Sequence, residues 1–327
     1  MVPTVERPRI DLAAAIPLAA PMALFLEPTN VCNFRCGFCP ESLPDFKALS
    51  DTRRPAGFYG EMSHETFERV RSDLARWPRL KVIRYYMLGE PLLNRRLPEM
   101  IRALEGFTER SVVTTNGSLL GRSAGELCWS GVDEIRVSIY GVRDGDYQQN
   151  TGSRFSVETI RENLKTFLEV RSLMATARWA GPKLTCELIM EDPAAADVIA
   201  FREQFRGLAD LLEVNDGLHN WGGGLVNIGV PALERAVCPM PFYYLSIRAS
   251  GLVTVCCADY SNSLRVGDIH DESLQDIWNG RALAWVQNMH LAGRRGEITA
   301  CKGCTAFRKY PDNLDSRLGS QIVPPAG

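Results

Sequence analysis

Eight of the ten cysteines fall into two groups toward the ends of the 327-residue chain; only Cys128 and Cys186 lie between them. The first group is Cys32-Asn33-Phe34-Arg35-Cys36-Gly37-Phe38-Cys39-Pro40, three thiols within eight residues. One loop can turn three thiolates toward a single metal centre. Four protein ligands would close an iron–sulfur or zinc site; three leave a position open, where chemistry can occur. No histidine or fourth cysteine stands near this loop. The second group is spaced Cys238-x17-Cys256-x44-Cys301-x2-Cys304. Four thiolates can close a site with no vacancy, and on spacing alone a zinc ribbon competes with a cluster.

The composition narrows the setting. Lys plus Arg number 37 and Asp plus Glu 39, so the net charge is -2 and there is no basic footprint for nucleic acid. A chain this long needs no disulfide staples, and its cysteine pattern is not that of a small secreted scaffold. Leu12–Leu26 is rich in Ala and Leu, but Pro17 and Pro21 interrupt it and no convincing cleavage site follows. No run approaches the ~18 apolar residues of a membrane span. The expectation is a cytoplasmic protein with neither nucleic-acid nor membrane partners.

The elements that must position these thiols alternate. Met22–Leu26 is expected to be a buried strand running into the three-cysteine loop, and 41–60 a long loop. Ser63 caps a helix over His64–Arg76. Strands follow at Lys81–Leu88, Ser111–Thr115, Glu134–Tyr140, Leu184–Met190 and Leu211–Val214. Helices separate them at Leu97–Leu104, Ser123–Trp129, Val157–Arg171 and Ala194–Phe205. Strands alternating with helices imply a parallel sheet with right-handed crossovers. The fold class is α/β, a partial (β/α)6 TIM-like barrel, with the site at the C-terminal ends of its strands. Beyond 216 the pattern changes to the loop Asn220–Gly224, a hairpin of Phe242–Arg248 and Leu252–Cys256, and helices at Ser273–Asn279 and Arg281–Leu291. The domains expected are a lead-in over 1–21, the barrel over 22–216 and a small α+β cluster-binding module over 217–327.

C-x3-C-x2-C after the first barrel strand, with Phe38 just before the third cysteine, resembles the radical S-adenosylmethionine superfamily. The resemblance implies that Cys32, Cys36 and Cys39 hold a [4Fe–4S] cluster whose open iron binds S-adenosylmethionine. It implies a 5′-deoxyadenosyl radical that abstracts a substrate hydrogen, and an external one-electron donor such as flavodoxin or ferredoxin. Met87-Leu88-Gly89-Glu90-Pro91 is similar to the family's GGE segment, with Leu88 where the first Gly is common. Thr114-Thr115-Asn116-Gly117 is similar to its T-N-G turn, and Ser138 matches a cofactor-contacting position. Phe38, Gly89, Glu90, Asn116, Ser138 and Arg154 are therefore expected at the cofactor.

Cys238-Pro239, Gly251-x4-Cys256, Gly267-Asp268-Ile269, Ser273-Leu274-x-x-Ile277-Trp278-Asn279 and Cys301-x2-Cys304 resemble the SPASM/Twitch extension of that superfamily. The resemblance implies that Cys238, Cys256, Cys301 and Cys304 bind an auxiliary [4Fe–4S] cluster. The Gly-x4-Cys spacing favours Cys256 over Cys257. No cysteine follows Cys304, which is closer to the Twitch form with one auxiliary cluster.

Twitch-type aminocyclitol dehydrogenases oxidise a substrate alcohol with such a cluster as electron acceptor. Oxidation of a small polar metabolite (a sugar, aminocyclitol or nucleoside) in natural-product biosynthesis is the expected activity. Decarboxylation of a nucleoside sugar acid, epimerisation with a cysteine hydrogen donor, peptide maturation and a non-catalytic zinc or cluster scaffold are the alternatives. No N-terminal domain suited to a leader peptide is expected. Tyr140, Asp144, Arg154, Glu187, Asn215, Asp216 and His219 are polar groups expected after the strands. Glu187 is the leading catalytic candidate, because an unpaired carboxylate within a barrel strand is costly. Cys186 and Cys257 are the candidate hydrogen donors. Alternation places Cys186 and Glu187 on opposite faces, so at most one enters the barrel.

Overall fold

The computed structural model describes residues 10–39, 42, 58–176, 179–190, 194–215, 235–257, 259–304, 307 and 312–324. Its strands are β1 (Ala23–Leu26), β2 (Val82–Tyr85), β3 (Ser111–Thr115), β4 (Glu134–Ile139), β5 (Lys183–Ile189), β6 (Leu211–Asn215), β7 (Tyr244–Ile247), β8 (Leu252–Thr254) and β9 (Arg265–Asp268). They form one sheet in the order β6-β5-β4-β3-β2-β1-β7-β8-β9. Strands β1 to β6 pair in parallel, the partial (β/α)6 barrel. β8 and β9 add antiparallel strands.

Helices α1 (Leu12–Ala15), α2 (His64–Leu74), α3 (Leu97–Ala103), α4 (Ala124–Ser130), α5 (Asp144–Thr151), α6 (Val157–Met174), α7 (Ala195–Gln204), α8 (Leu274–Trp278) and α9 (Arg281–Leu291) complete the framework. Local chemistry sets their starts. The Ser63, Ser156 and Ser273 hydroxyls accept from the backbone N–H groups of Thr66, Thr159 and Asp276, which would otherwise lack partners. α6 buries Val157, Ile160, Leu164 and Phe167 on one stripe. Each such side chain contributes roughly 1.5–3 kcal/mol on leaving water. No helix among the described residues is long and apolar enough to cross a membrane.

Three features differ from expectation. β2 ends at Tyr85, three residues before Leu88, because the chain turns there to meet the cysteine loop: Leu88 N–H donates to Glu27 Oε1 (3.3 Å) and Glu90 N–H to Val31 O (2.9 Å). α5 is an additional helix with only Tyr147 and Thr151 buried, so it has no apolar stripe to read. β7 pairs in parallel with β1, Phe25 opposite Ser246, so the second cysteine group sits on a continuation of the barrel sheet. The expected boundary at 216/217 and the loop Asn220–Gly224 lie outside the described residues, as do Asp216 and His219.

Candidate active site

A cavity of ≈ 670 Å³ opens at the C-terminal ends of the barrel strands, and Cys32, Cys36 and Cys39 line it. The cysteine loop is held from two sides. Arg35 N–H donates to Thr151 O (2.8 Å) and Gly37 N–H to Asn150 O (3.1 Å), so α5 is a support for this loop. On the other side Gly89 lies against residues 29–31. A Cβ at Gly89 would overlap the Thr29 carbonyl oxygen and stand 2.7 Å from that of Val31. Only a residue without a side chain lets the segment after β2 approach this closely.

Asn33, between the first two cysteines, ties the loop to the Asn116-Gly117 turn. Asn116 Nδ2 donates to Asn33 Oδ1 (2.9 Å), and Asn33 Nδ2 donates to Ser118 Oγ (2.9 Å). Glu90 joins the same network. Its carboxylate accepts from Thr115 Oγ1 (2.6 Å), Asn116 N–H (2.8 Å) and Leu92 N–H (3.1 Å). Burial nonetheless pushes its pKa up to about 7, against the lowering effect of those bonds. Phe38 packs on Tyr140 with ring centroids 5.3 Å apart. Burial, and then the nearby Cys36 thiol, raises the Tyr140 hydroxyl well above its ordinary pKa.

Phe38, Gly89, Glu90, Asn116 and Ser138 all line the cavity with the cysteines. Arg154 does not: it is exposed and absent from the lining. The strand register decides between the two adjacent candidates on β5. Ser138 of β4 is level with Glu187, and Val137 with Cys186. Ser138 and Glu187 face the cavity. Cys186 is fully buried in the apolar core on the other face, and burial pushes its thiol up to about 12. It does not reach the cavity where a hydrogen donor would be needed. Glu187 does face inward, but it is not unpaired: Arg136 Nη2 lies 3.2 Å from Glu187 Oε2.

Arg136 also pairs with Glu134 Oε1 (3.1 Å) and Glu213, and Arg110 pairs with Glu134. With Arg84, these arginines line the cavity beside Glu187. The sequence signal was available for Arg84, a charge between the apolar residues of β2, and for Arg136, which alternates with apolar residues on β4 as Glu134 and Ser138 do. Met240 and Tyr243, just after Cys238, close the cavity from the second module.

The second cysteine group is organised by His290 of α9, which is 1% exposed. Cys238 N–H donates to His290 Nδ1 (3.3 Å), so Nδ1 carries no proton. Burial, and then Arg295, lowers the imidazole pKa to about 4, so the neutral ring bears its proton on Nε2. Nε2 is 3.7 Å from Cys301 Sγ. Arg295 holds the C-x2-C turn through Cys301 O (2.9 Å) and Cys304 O (3.1 Å). Charges on Cys304 and Cys301 add to burial in raising the Cys238 thiol, which sets the three thiols in one neighbourhood. Cys256 packs against the core that contains Cys301. Cys257 instead packs beside Tyr244, whose hydroxyl accepts from Cys257 N–H (3.2 Å) and donates to its Sγ (3.9 Å).

Among the described residues, no three His, Cys, Asp or Glu side chains gather tightly enough to hold one metal ion. The donor chemistry of the first loop suits a cluster on other grounds. It offers three thiols on one cavity wall, with Phe34 N–H directed at Cys32 Sγ (3.5 Å).

The chain matches the Radical SAM superfamily over residues 26–185 and SPASM, an iron-sulfur cluster-binding domain, over residues 238–305. It is 29% identical over 198 residues to GTP 3',8-cyclase of Xanthomonas campestris pv. campestris (strain B100), covering 58% of this chain and 52% of that protein. The chain thus spans about half the length of that relative. It is 22% identical over 281 residues to the S-adenosyl-L-methionine-dependent 2-deoxy-scyllo-inosamine dehydrogenase of Niallia circulans, covering 85% of this chain and 90% of that one. The solved structure of BtrN in complex with AdoMet and 2-DOIA shares the fold, with a TM-score of 0.57 and 20% identity over 86% of this chain and 91% of that one. The parallel barrel, the three-cysteine loop at its mouth and the second cysteine group beyond it agree with those matches: the chain belongs to the radical S-adenosylmethionine superfamily, as an enzyme of the [4Fe–4S] cluster and S-adenosylmethionine with a C-terminal SPASM module for auxiliary iron–sulfur.

Proposed function

We propose that the protein oxidises an alcohol carbon of a small polar metabolite, such as a sugar, aminocyclitol or nucleoside. One observation carries this reading: a single cavity is walled by the cysteine loop on one side and by Met240 and Tyr243, next to Cys238, on the other. A substrate in it lies between the two cysteine groups. The likeness to the inosamine dehydrogenase, over nearly the whole of both chains, supports the same reading.

In this proposal Cys32, Cys36 and Cys39 hold the first cluster. Cys238, Cys256, Cys301 and Cys304 hold one auxiliary cluster. When bound, these groups with S-adenosylmethionine supply a hydrogen-abstracting 5′-deoxyadenosyl radical and an acceptor for the remaining electron. The chain's own residues do the rest. Glu90, Asn116 and Ser138 present acceptors and donors to the amino acid part and ribose of the cofactor, and Phe38 with Tyr140 forms an apolar wall for its adenine. Glu187, held toward the cavity by Arg136, accepts the hydroxyl proton as the carbonyl forms. Tyr140 and Phe38 keep water from the reacting carbon.

The test is anaerobic turnover of the reconstituted protein with candidate polyols. Oxidation requires a ketone formed in equal amount with 5′-deoxyadenosine, without incorporation of solvent deuterium. Solvent deuterium at an inverted carbon, release of carbon dioxide, or tight binding of a precursor peptide overturns it. Zinc content with no cleavage of S-adenosylmethionine overturns it as well.

A further inference from the structure

Of the three arginines that line the cavity, one has no carboxylate partner among the described residues. Arg110 and Arg136 are both paired with carboxylates. Arg84, on the inward face of β2, makes no hydrogen bond or ion pair among the described residues. Its contact is the Phe25 ring, with Cζ 5.9 Å from the centroid. Tyr86, two residues further along the same face, meets the same ring edge-on at 5.5 Å. Phe25 therefore braces a guanidinium and a phenol side by side in the wall of the cavity. The Tyr86 hydroxyl also has no hydrogen bond among the described residues. Burial pushes it up to about 12, so it stays a neutral donor at neutral pH.

A guanidinium drawn partly out of water is costly unless an anion meets it. Its planar fork suits the two oxygens of a carboxylate or a phosphate. Here the guanidinium lies over an aromatic ring, which favours one placement of the fork before binding. The carboxylates of Glu134, Glu187 and Glu213 on β4, β5 and β6 are engaged by Arg136 and Arg110.

We propose that Arg84 and Tyr86, braced by Phe25, form a subsite for an anionic group, a carboxylate or a phosphate, carried by the substrate. This rests on the proposed small-metabolite function, and narrows it to acidic or phosphorylated polyols.

The test is calorimetric titration of the full-length, cluster-reconstituted protein at constant ionic strength and without S-adenosylmethionine. Inorganic phosphate and acetate are the probes. At least one is expected to bind, with affinity reduced tenfold or more in Arg84→Gln and several-fold in Tyr86→Phe. Tighter binding of phosphate marks a phosphorylated substrate, and tighter binding of acetate a carboxylate. Arg84→Lys, which keeps the charge without the fork, is expected to fall between wild type and Arg84→Gln, and it serves if Arg84→Gln does not fold. Absence of binding by either anion overturns the subsite, and so does equal affinity in wild type and the Arg84 variants. Failure of the wild-type protein to release 5′-deoxyadenosine would overturn the radical reading alone, because these titrations do not depend on that reaction.

Discussion

Glu27 and Arg248 form an ion pair that joins the stems of the two cysteine groups, with Arg248 Nη1 3.4 Å from Glu27 Oε1 and side chains 3% and 1% exposed. Glu27 directly follows β1, five residues before Cys32. Its Oε2 accepts from Ala249 N–H (3.0 Å). Arg248 follows β7, and donates to Asn262 Oδ1 (3.0 Å) and to the Asp259 carbonyl, just beyond Cys256. The pair is thus fully hydrogen-bonded across the seam between barrel and module.

Removing one member leaves the other charge buried alone. Arg248→Met is expected to destabilise the protein by about 3–5 kcal/mol, the range for breaking a buried pair. Chemical denaturation of the anaerobic protein measures this. A loss below about 1 kcal/mol, the value of an exposed pair, would show that the seam is hydrated.

Glu90 makes the stability of the cofactor-free protein depend on pH. Burial raises its pKa from 4.5 to about 7, so the folded state holds this proton more tightly than the unfolded chain. The contribution is fully present below 4.5 and is lost as pH rises through about 7. Its size is on the order of 3 kcal/mol. Glu90→Gln is expected to remove this dependence, so that urea midpoints at pH 5 and pH 8 differ less than in wild type. An unchanged difference would locate the proton elsewhere.

Gly89→Ala is expected to displace the cysteine loop, because its Cβ overlaps the Thr29 carbonyl. Backbone cannot give way as a flexible side chain can. The expected result is loss of the first cluster's absorbance and of S-adenosylmethionine binding, with the auxiliary cluster retained. Normal binding in Gly89→Ala would show that the loop after β2 can move.

Cysteine variants separate the two groups. Replacing Cys32, Cys36 and Cys39 together by Ala is expected to halve the iron, from about eight to about four per chain, and to abolish 5′-deoxyadenosine formation. Cys256→Ala is expected to lose the auxiliary cluster. Cys257→Ala is expected to keep it, since the Cys257 thiol is engaged by Tyr244. Iron loss in Cys257→Ala instead would reverse the assignment.

His290→Ala is expected to destabilise the auxiliary region, because Cys238 N–H loses its acceptor in a buried site. A cost of roughly 1–3 kcal/mol follows from an unsatisfied buried donor. Hydrogen exchange at the Cys238 amide reports this directly, and unchanged protection there would refute it.

What depends on neighbours along the chain was readable from the sequence. The cysteine spacings set the two groups, and apolar runs between helical stripes set the barrel. β3 and α9 fall where the pattern puts them, at Ser111–Thr115 and Arg281–Leu291. Alternation showed that Cys186 and Glu187 face opposite ways. Only the register of β5 on β4 showed which of them faces the cavity, because a strand's period does not say which side is inside. α5 has no apolar stripe; packing against the cysteine loop holds it, and no local period encodes that. The pairing of β7 with β1, and the meeting of His290 with Cys238 and Cys301, join residues far apart in sequence. Such contacts come from burying surface and pairing polar groups in three dimensions, so the tertiary structure alone decided that Met240 and Tyr243, next to Cys238, face the cavity lined by the first cysteine group.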